Sequence, residues 1–154
     1  MISRPLWIPN GLKSTMIDNG LLLDTCAMIW LAHDEPVAAG IDDVLLQAVD
    51  DNKKVAVSVM SAWEVGMLIS KGRLPTTKSA SAWFQDFAAA GQVEVLPASP
   101  EILIASSFLP QPIHNDPTDR ILIATAREHD LTIVTRDRAI LSYGALGHVK
   151  VLAC

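Results

Sequence analysis

Short apolar runs alternate along the chain with longer segments in which apolar residues recur every three or four positions. The short runs predict strands at residues 20–24, 55–59, 93–96, 131–135 and 149–152. Helical spacing predicts helices over 25–33, 37–51, 61–71, 79–90, 116–129 and 136–143, and another that opens at 99–101. Continuous apolar strands separated by helices are typical of a parallel sheet covered on both faces. The pattern therefore predicts an α/β fold, a three-layer α/β/α sandwich with a central, mostly parallel sheet.

The 154 residues fit one domain, which we expect to span residues 20–154. Residues 1–19 hold two prolines and no continuous apolar stretch, which makes them a poor signal peptide. We expect them to form a leader that is loosely ordered or lies upstream of a natural start at Met16. The longest apolar run, residues 20–32, is interrupted by Asp24 and is too short to span a bilayer. No membrane association is predicted.

The net charge of −5 opposes binding to polyanions, because phosphate binders usually display a basic surface. A nucleic-acid partner would therefore require cations at an acidic site and local basic residues. The two cysteines, Cys26 and Cys154, form no CxxC motif and suggest no disulfide framework. A reducing compartment, the cytoplasm, is the expected location.

Acidic residues follow three of the predicted strands at the edge where ligands bind in open α/β sheets. Asp24 ends the first strand, Glu64 lies one turn into the helix after the second, and Asp137 follows the fourth. Asp116 and Asp119 open the helix that follows a proline-containing loop. We expect these carboxylates to converge.

Each acid also has a structural explanation. Ser61 and Glu64 have the spacing of a capping box, so Glu64 could bond back to the start of its helix. Asp116 before Pro117 is typical of an N-cap, and Asp119 would then lie in the first turn, where the helix dipole favours an anion. Asp137 could cap its own short helix. Asp24 could cap the next helix, with Thr25 as a competitor for that role.

Taken together, the acids favour a cation site over a set of caps. Serine or threonine lies beside most of them and would cap as well, whereas several crowded carboxylates repel one another unless a cation neutralises them. Oxygen ligands without nearby Cys or paired His indicate Mg²⁺ or Mn²⁺ rather than zinc. Because Mg²⁺ often completes its shell with phosphate oxygens, the pattern indicates a phosphodiesterase.

Four segments of this chain resemble those of PIN domains, and more narrowly the VapC-type toxins of toxin–antitoxin pairs. They are LLLDT at 21–25, SVMSAWE at 58–64, HNDPTDRILIATA at 114–126 and LTIVTRD at 131–137. The resemblance covers residues 20–152, and the 114–126 segment is its most specific part. It implies a parallel-sheet fold, Mg²⁺- or Mn²⁺-dependent cleavage of RNA, a homodimer, and inhibition by a cognate antitoxin protein.

The resemblance also implies which residues carry the activity. By position, the metal-binding and catalytic acids of the family fall on Asp24, Glu64, Asp119 and Asp137. The first three would hold one ion, and Asp137 would complete that site or help to hold a second.

Other positions have supporting roles in this interpretation. Asp116 matches the first acid of the D-P-x-D turn, and Thr135 matches a hydroxyl residue near the fourth acid. Arg120 and Arg136 flank the acids and would contact RNA phosphates, with surface salt bridges to neighbouring carboxylates as the alternative. His114 is expected to be structural, and Trp63 is expected to lie in the core or at a dimer interface.

Two other classes remain open from the sequence alone. An aspartate-based phosphatase would also carry an aspartate after its first strand, although the haloacid-dehalogenase type requires Asp-x-Asp and this chain has Asp24-Thr25-Cys26. A non-catalytic PIN-like protein-binding module would use the acids only as helix caps.

Overall fold

The computed structural model describes residues 19–154, which form five strands and seven helices. The strands are β1 (Gly20–Leu23), β2 (Lys54–Ser58), β3 (Glu94–Leu96), β4 (Thr132–Thr135) and β5 (Lys150–Ala153). The helices are α1 (Thr25–Ala32), α2 (Ile41–Asp50), α3 (Val59–Ser70), α4 (Ala80–Ala90), α5 (Pro100–Ala105), α6 (Pro117–His129) and α7 (Arg138–Ala145).

The five strands form one parallel sheet in the order β3-β2-β1-β4-β5, which confirms the predicted fold class. The central strand β1 pairs with β2 on one side and with β4 on the other, so that Leu22 lies opposite both Ala56 and Ile133. The chain builds outward from β1 to β3 and then crosses back to place β4 on the other side of β1. This reversal leaves a crevice beyond the carboxyl ends of β1 and β4, where ligands bind in open α/β sheets.

Helices cover both faces of the sheet, and each face has its own core. On one face, Leu22 and Ile133 pack with apolar residues of α5, α6 and α7, such as Ile123. On the other face, Leu21 and Leu23 pack with residues of α1 to α4. Because successive residues of a strand point to opposite faces, a fully apolar strand such as β1 must be buried on both sides.

Several predicted boundaries are wrong by a few residues, and local backbone chemistry explains the larger differences. Helix α2 begins at Ile41 rather than at residue 37, because Gly40 before it has a left-handed φ of 91° that a helix cannot include. Helix α3 begins at Val59 rather than at Ser61, because the Ser58 hydroxyl accepts the Met60 N–H at 3.1 Å and caps the helix there.

The predicted leader lies outside the described residues except for Asn19. The Asn19 side-chain amide donates to Asp130 Oδ2 at 2.7 Å, at the edge of the sheet where β1 begins. Over residues 19–154, no helix has the length and apolar character needed to cross a membrane.

We expect Gly20→Ala to destabilise the fold by about 2–4 kcal/mol. Gly20 has a φ of 125°, and a Cβ at this position would lie 2.0 Å from the Lys54 carbonyl oxygen on the neighbouring strand. Urea unfolding followed by circular dichroism would measure the change. Gly66→Ala is the matched control, because a Cβ there meets no atom within 4 Å, and it should raise stability by about 0.5–1 kcal/mol. Equal stabilities of the two variants would contradict this account of Gly20.

Candidate functional site

Asp24 lies at the carboxyl end of the central strand and is almost fully buried, with 7% of its surface exposed. It is the N-cap of α1, since its Oδ1 accepts the Ala27 N–H at 2.6 Å. Its Oδ2 accepts a hydrogen bond from the Thr135 hydroxyl. Both oxygens are therefore held by neutral donors, which fix the carboxylate without cancelling its charge.

Thr135 connects the first and fourth acids. While its hydroxyl donates to Asp24, the same oxygen accepts the Asp137 N–H at 2.9 Å. Asp137 in turn caps α7 by accepting the Ile140 N–H at 2.9 Å. The capping interpretation of Asp137 is confirmed, and its backbone is tied to Asp24 through one hydroxyl group.

Glu64 does not cap its helix, so its capping-box interpretation is wrong. The helix starts five residues earlier at Val59, and the Glu64 side chain crosses to α1, where its Oε1 lies 2.7 Å from Thr25 Oγ1. Thr25 Oγ1 also lies 2.9 Å from Ser61 Oγ. A hydroxyl carries one hydrogen, so Thr25 can donate to Glu64 and accept from Ser61. This contact holds the Glu64 side chain against the first residue of α1, the helix that Asp24 caps.

Asp119 lies in the first turn of α6, and Asp116 caps that helix as predicted. Asp116 Oδ1 accepts the Asp119 N–H at 2.9 Å. The Asp119 side chain instead contacts His114, whose Nε2 lies 2.8 Å from Asp119 Oδ2. His114 was expected to be structural, and the structure places it directly against one of the four acids.

The structure brings all five acids to one cavity of about 380 Å³ beyond the carboxyl ends of β1 and β4. The cavity is lined by Asp24, Thr25, Cys26, Trp30, Ser58, Met60, Ser61, Glu64, Asp116, Thr118, Asp119, Leu122, Arg136 and Asp137. Ligand atoms of His114, Asp119 and Asp137 lie within 4.8 Å of one another, a spacing that one metal ion can bridge.

Burial and mutual repulsion oppose ionisation of three of these acids, Asp24, Glu64 and Asp119. Burial raises the pKa of Asp24 above its ordinary value, and the charges of Asp119 and Asp137 raise it further. The pKa values of Glu64 and Asp119 are raised in the same way, first by burial and then by neighbouring carboxylates. The pKa of the Cys26 thiol rises to about 11 for the same two reasons.

The described residues provide little positive charge to offset this repulsion. Within residues 19–154, the only ion-pair partner of the four acids is His114. A set of carboxylates that share one cavity and form no ion pair with a lysine or arginine fits a divalent metal ion better than it fits a structural salt-bridge network.

The two arginines predicted to flank the site differ in position. Arg136 lines the cavity, and its Nε donates to the Cys154 carbonyl at 2.7 Å. Arg120 is absent from the cavity wall, and its Nε donates to the Ser106 carbonyl at 3.0 Å. Over the described part of the chain neither forms a salt bridge with a carboxylate, so that alternative for them is wrong.

Sequence reasoning missed two residues of this site. Thr25 was considered only as a competing cap, although a hydroxyl directly after Asp24 can reach a carboxylate on the neighbouring helix. Trp30 was not singled out, because nothing in the local pattern of α1 distinguishes it from a core residue.

Comparisons with known proteins agree with this architecture. The model of the PIN domain family matches residues 21–146 of the chain. Ribonuclease VapC22 of Mycobacterium tuberculosis is 30% identical over 124 residues, which make up 80% of this chain and 91% of that protein.

Among solved structures, VapBC2 of Rickettsia felis bound to a promoter DNA fragment aligns with a TM-score of 0.64 and 15% identity, over 86% of this chain and 97% of that one. A toxin–antitoxin complex from Klebsiella pneumoniae aligns with a TM-score of 0.55 and 20% identity, over 86% and 96%. At these identities the structural likeness concerns the fold.

We expect Asp24→Asn to stabilise the metal-free protein at neutral pH. The pKa of Asp24 in the folded state is raised, so ionising this group costs stability. The cost is absent below pH 3.8, the ordinary pKa. It grows as the pH rises through the raised pKa and is complete above that pKa. Asparagine keeps an oxygen that can accept the Ala27 N–H. Thermal unfolding in excess EDTA, at neutral pH and below pH 3.8, would measure the difference.

The matched control is Asp86→Asn, which removes the same charge from an exposed aspartate paired with Lys78. It should change stability by less than about 1 kcal/mol. Added MnCl₂ should raise the melting temperature of the wild type and of this control more than that of Asp24→Asn. A lower stability of Asp24→Asn than of the wild type in EDTA at neutral pH would contradict the repulsion described above.

Proposed function

The chain belongs to the PIN domain family, and from this premise we propose that it is a divalent-metal-dependent endoribonuclease that acts as the toxin of a toxin–antitoxin pair. The observation that carries the proposal is the convergence of Asp24, Glu64, Asp119 and Asp137 on one cavity at the switch point of the sheet. The likeness to a ribonuclease over most of the chain supports RNA as the substrate.

The metal is proposed to be Mg²⁺ or Mn²⁺, held by the four acids. These cations prefer carboxylate oxygens, and the cavity wall contributes carboxylates and hydroxyls. When bound, such an ion polarises a phosphoryl oxygen and lowers the pKa of its water. The same ion would offset the burial and the mutual repulsion that raise the pKa values of Asp24, Glu64 and Asp119.

The residues of the chain hold the carboxylates in fixed orientations for this task. Asp24 is fixed by Ala27 and Thr135, and Glu64 is fixed by Thr25. His114 fixes Asp119 from the side of the loop before α6. Such partners restrict the motion of metal-binding groups, and their loss typically weakens metal affinity or activity by about 10–100-fold.

Helix ends contribute the remaining positive potential. Helices α1 and α7 begin beside Asp24 and Asp137, at the edge of the sheet that carries the cavity. Their N-termini carry partial positive charge, which favours an anion such as a phosphate at this edge of the sheet. An acidic chain can thus attract a phosphodiester locally.

We expect Asp24→Asn and Asp119→Asn each to lower RNA cleavage by at least about 100-fold, because even partners of metal ligands contribute up to about that factor. The assay would follow a fluorophore–quencher single-stranded RNA in MgCl₂ or MnCl₂, and excess EDTA should abolish cleavage. Asp86→Asn, with the same charge change away from the cavity, should cut like the wild type. Cleavage by both site variants at the wild-type rate would overturn the proposal and favour a non-catalytic binding module.

The partners proposed for this chain are an RNA substrate, a cognate antitoxin protein and a second copy of itself, in the cytoplasm. Free thiols at Cys26 and Cys154 suit a reducing compartment. Expression of the wild type should stop bacterial growth and Asp119→Asn should not. Co-expression of the antitoxin encoded beside it should relieve the arrest.

The homodimer proposal is supported by exposed apolar side chains on α5 and the turn after it. Leu103, Ile104 and Phe108 are 42%, 63% and 81% exposed. Large apolar patches on a protein surface are commonly covered by a partner.

We therefore expect the wild type to migrate as a dimer in size-exclusion chromatography with light scattering. Combined Ile104→Ser and Phe108→Ser changes should convert it to a monomer. Leu46→Ser, at an exposed leucine of α2, is the control and should leave the dimer intact. A monomeric wild type would contradict the proposal, and so would a dimeric double variant.

A further inference from the structure

Trp30 and Arg136 form a stack in the wall of the acid cavity. Trp30 lies on α1, six residues after Asp24, and Arg136 lies between β4 and α7, directly before Asp137. The Arg136 Cζ atom lies 3.8 Å from the centroid of the Trp30 ring, and both side chains line the cavity. The stack therefore lies in the same cavity as the carboxylates.

The guanidinium group of Arg136 is held rigidly. Its Nε donates to the Cys154 carbonyl at 2.7 Å and its Nη2 donates to the Pro36 carbonyl at 2.5 Å. These two bonds lie in the plane of the group and fix its orientation, while Trp30 supports it. Within residues 19–154, its Nη1 makes no hydrogen bond, and the residue is exposed. A planar surface with a spare donor is thus presented at the cavity.

The geometry of this stack suits a nucleobase better than a phosphate. The two carbonyl bonds occupy Nε and Nη2, so the fork by which an arginine commonly grips a phosphate with two parallel N–H groups is already in use. Single-stranded RNA is commonly recognised by stacking unpaired bases on aromatic rings and on arginine planes. A neutral base also avoids the repulsion that a second phosphate would meet beside Asp24, Glu64 and Asp137.

We propose that Trp30 and Arg136 form a nucleobase subsite, which takes an unstacked base of single-stranded RNA next to the phosphodiester that is cleaved. The base stacks on the Trp30–Arg136 pair. This subsite rests on the ribonuclease function proposed above. Duplex RNA is excluded from it, because its bases are already stacked on one another.

The test uses a single-stranded RNA that the wild type cuts at one mapped position, and two copies with an abasic nucleotide on either side of that position. Trp30→Leu should raise KM for the intact RNA roughly tenfold with little change in kcat, the size expected for one base–aromatic stack. Trp30→Phe should restore most of the loss. With the wild type, KM for one of the two abasic RNAs should rise by a similar factor. With Trp30→Leu, KM for that abasic RNA should differ little from KM for the intact RNA.

Arg136→Lys separates stacking from charge. Lysine keeps the positive charge but loses the planar face, so this variant should resemble Trp30→Leu and show the same insensitivity to the abasic nucleotide. Matched controls are Trp63→Leu, at a tryptophan 56% exposed that does not line the cavity, and Arg127→Leu, at an arginine that donates to the His148 carbonyl. Both controls should have the wild-type KM for the intact RNA and should show the same rise in KM for the abasic RNA as the wild type.

Failure of the subsite can be distinguished from failure of the ribonuclease function. A wild type that cuts no RNA overturns the function and the subsite together. The wild type could instead cut RNA while the loss caused by Trp30→Leu multiplies with the loss caused by each abasic nucleotide. The side chain and the missing base would then act independently, and this result overturns the subsite alone. Retention of activity by Arg136→Lys also overturns it and favours a phosphate contact.

Discussion

The arrangement of the site is governed by the repulsion among carboxylates that are crowded into one half-buried cavity. Asp24, Glu64 and Asp119 each lose hydration on folding, and each faces the charge of the others. Removing charged groups from water is costly unless they are paired. Within the described residues, no lysine or arginine forms an ion pair with them. The protein thus keeps a local destabilisation that a bound cation would relieve.

The surrounding residues limit this repulsion without removing it. Backbone N–H groups hold Asp24 and Asp137, and hydroxyl groups of Thr25 and Thr135 hold Glu64 and Asp24. Neutral donors orient a carboxylate but leave its negative charge available to a metal ion. Proteins commonly accept such a loss of stability where function requires it. The stability of the rest of the domain comes from the two apolar cores on either side of the sheet.

The sequence was sufficient for the fold because the apolar strands and the helical spacing are local patterns. It also identified the caps formed by Asp116 and Asp137, which depend on residues three positions apart. It failed for the contacts of Glu64, because its partner Thr25 lies 39 residues away and the start of α3 is set by Ser58. The Trp30–Arg136 stack was missed for the same reason, since it joins parts of the chain that meet only in the folded sheet.

The hydrogen bond from Thr135 to Asp24 joins residues separated by 111 positions. It forms only when β4 has paired with β1, and Asp137 is placed by the same event. A ribosome that has made the first hundred residues has already made Asp24 and Glu64, but the chain it carries lacks the other half of the cavity. A chain that ends before Asp137 therefore cannot assemble the acidic cluster. The topology itself delays assembly of the cluster until β4 and Asp137 have been made and β4 has paired with β1.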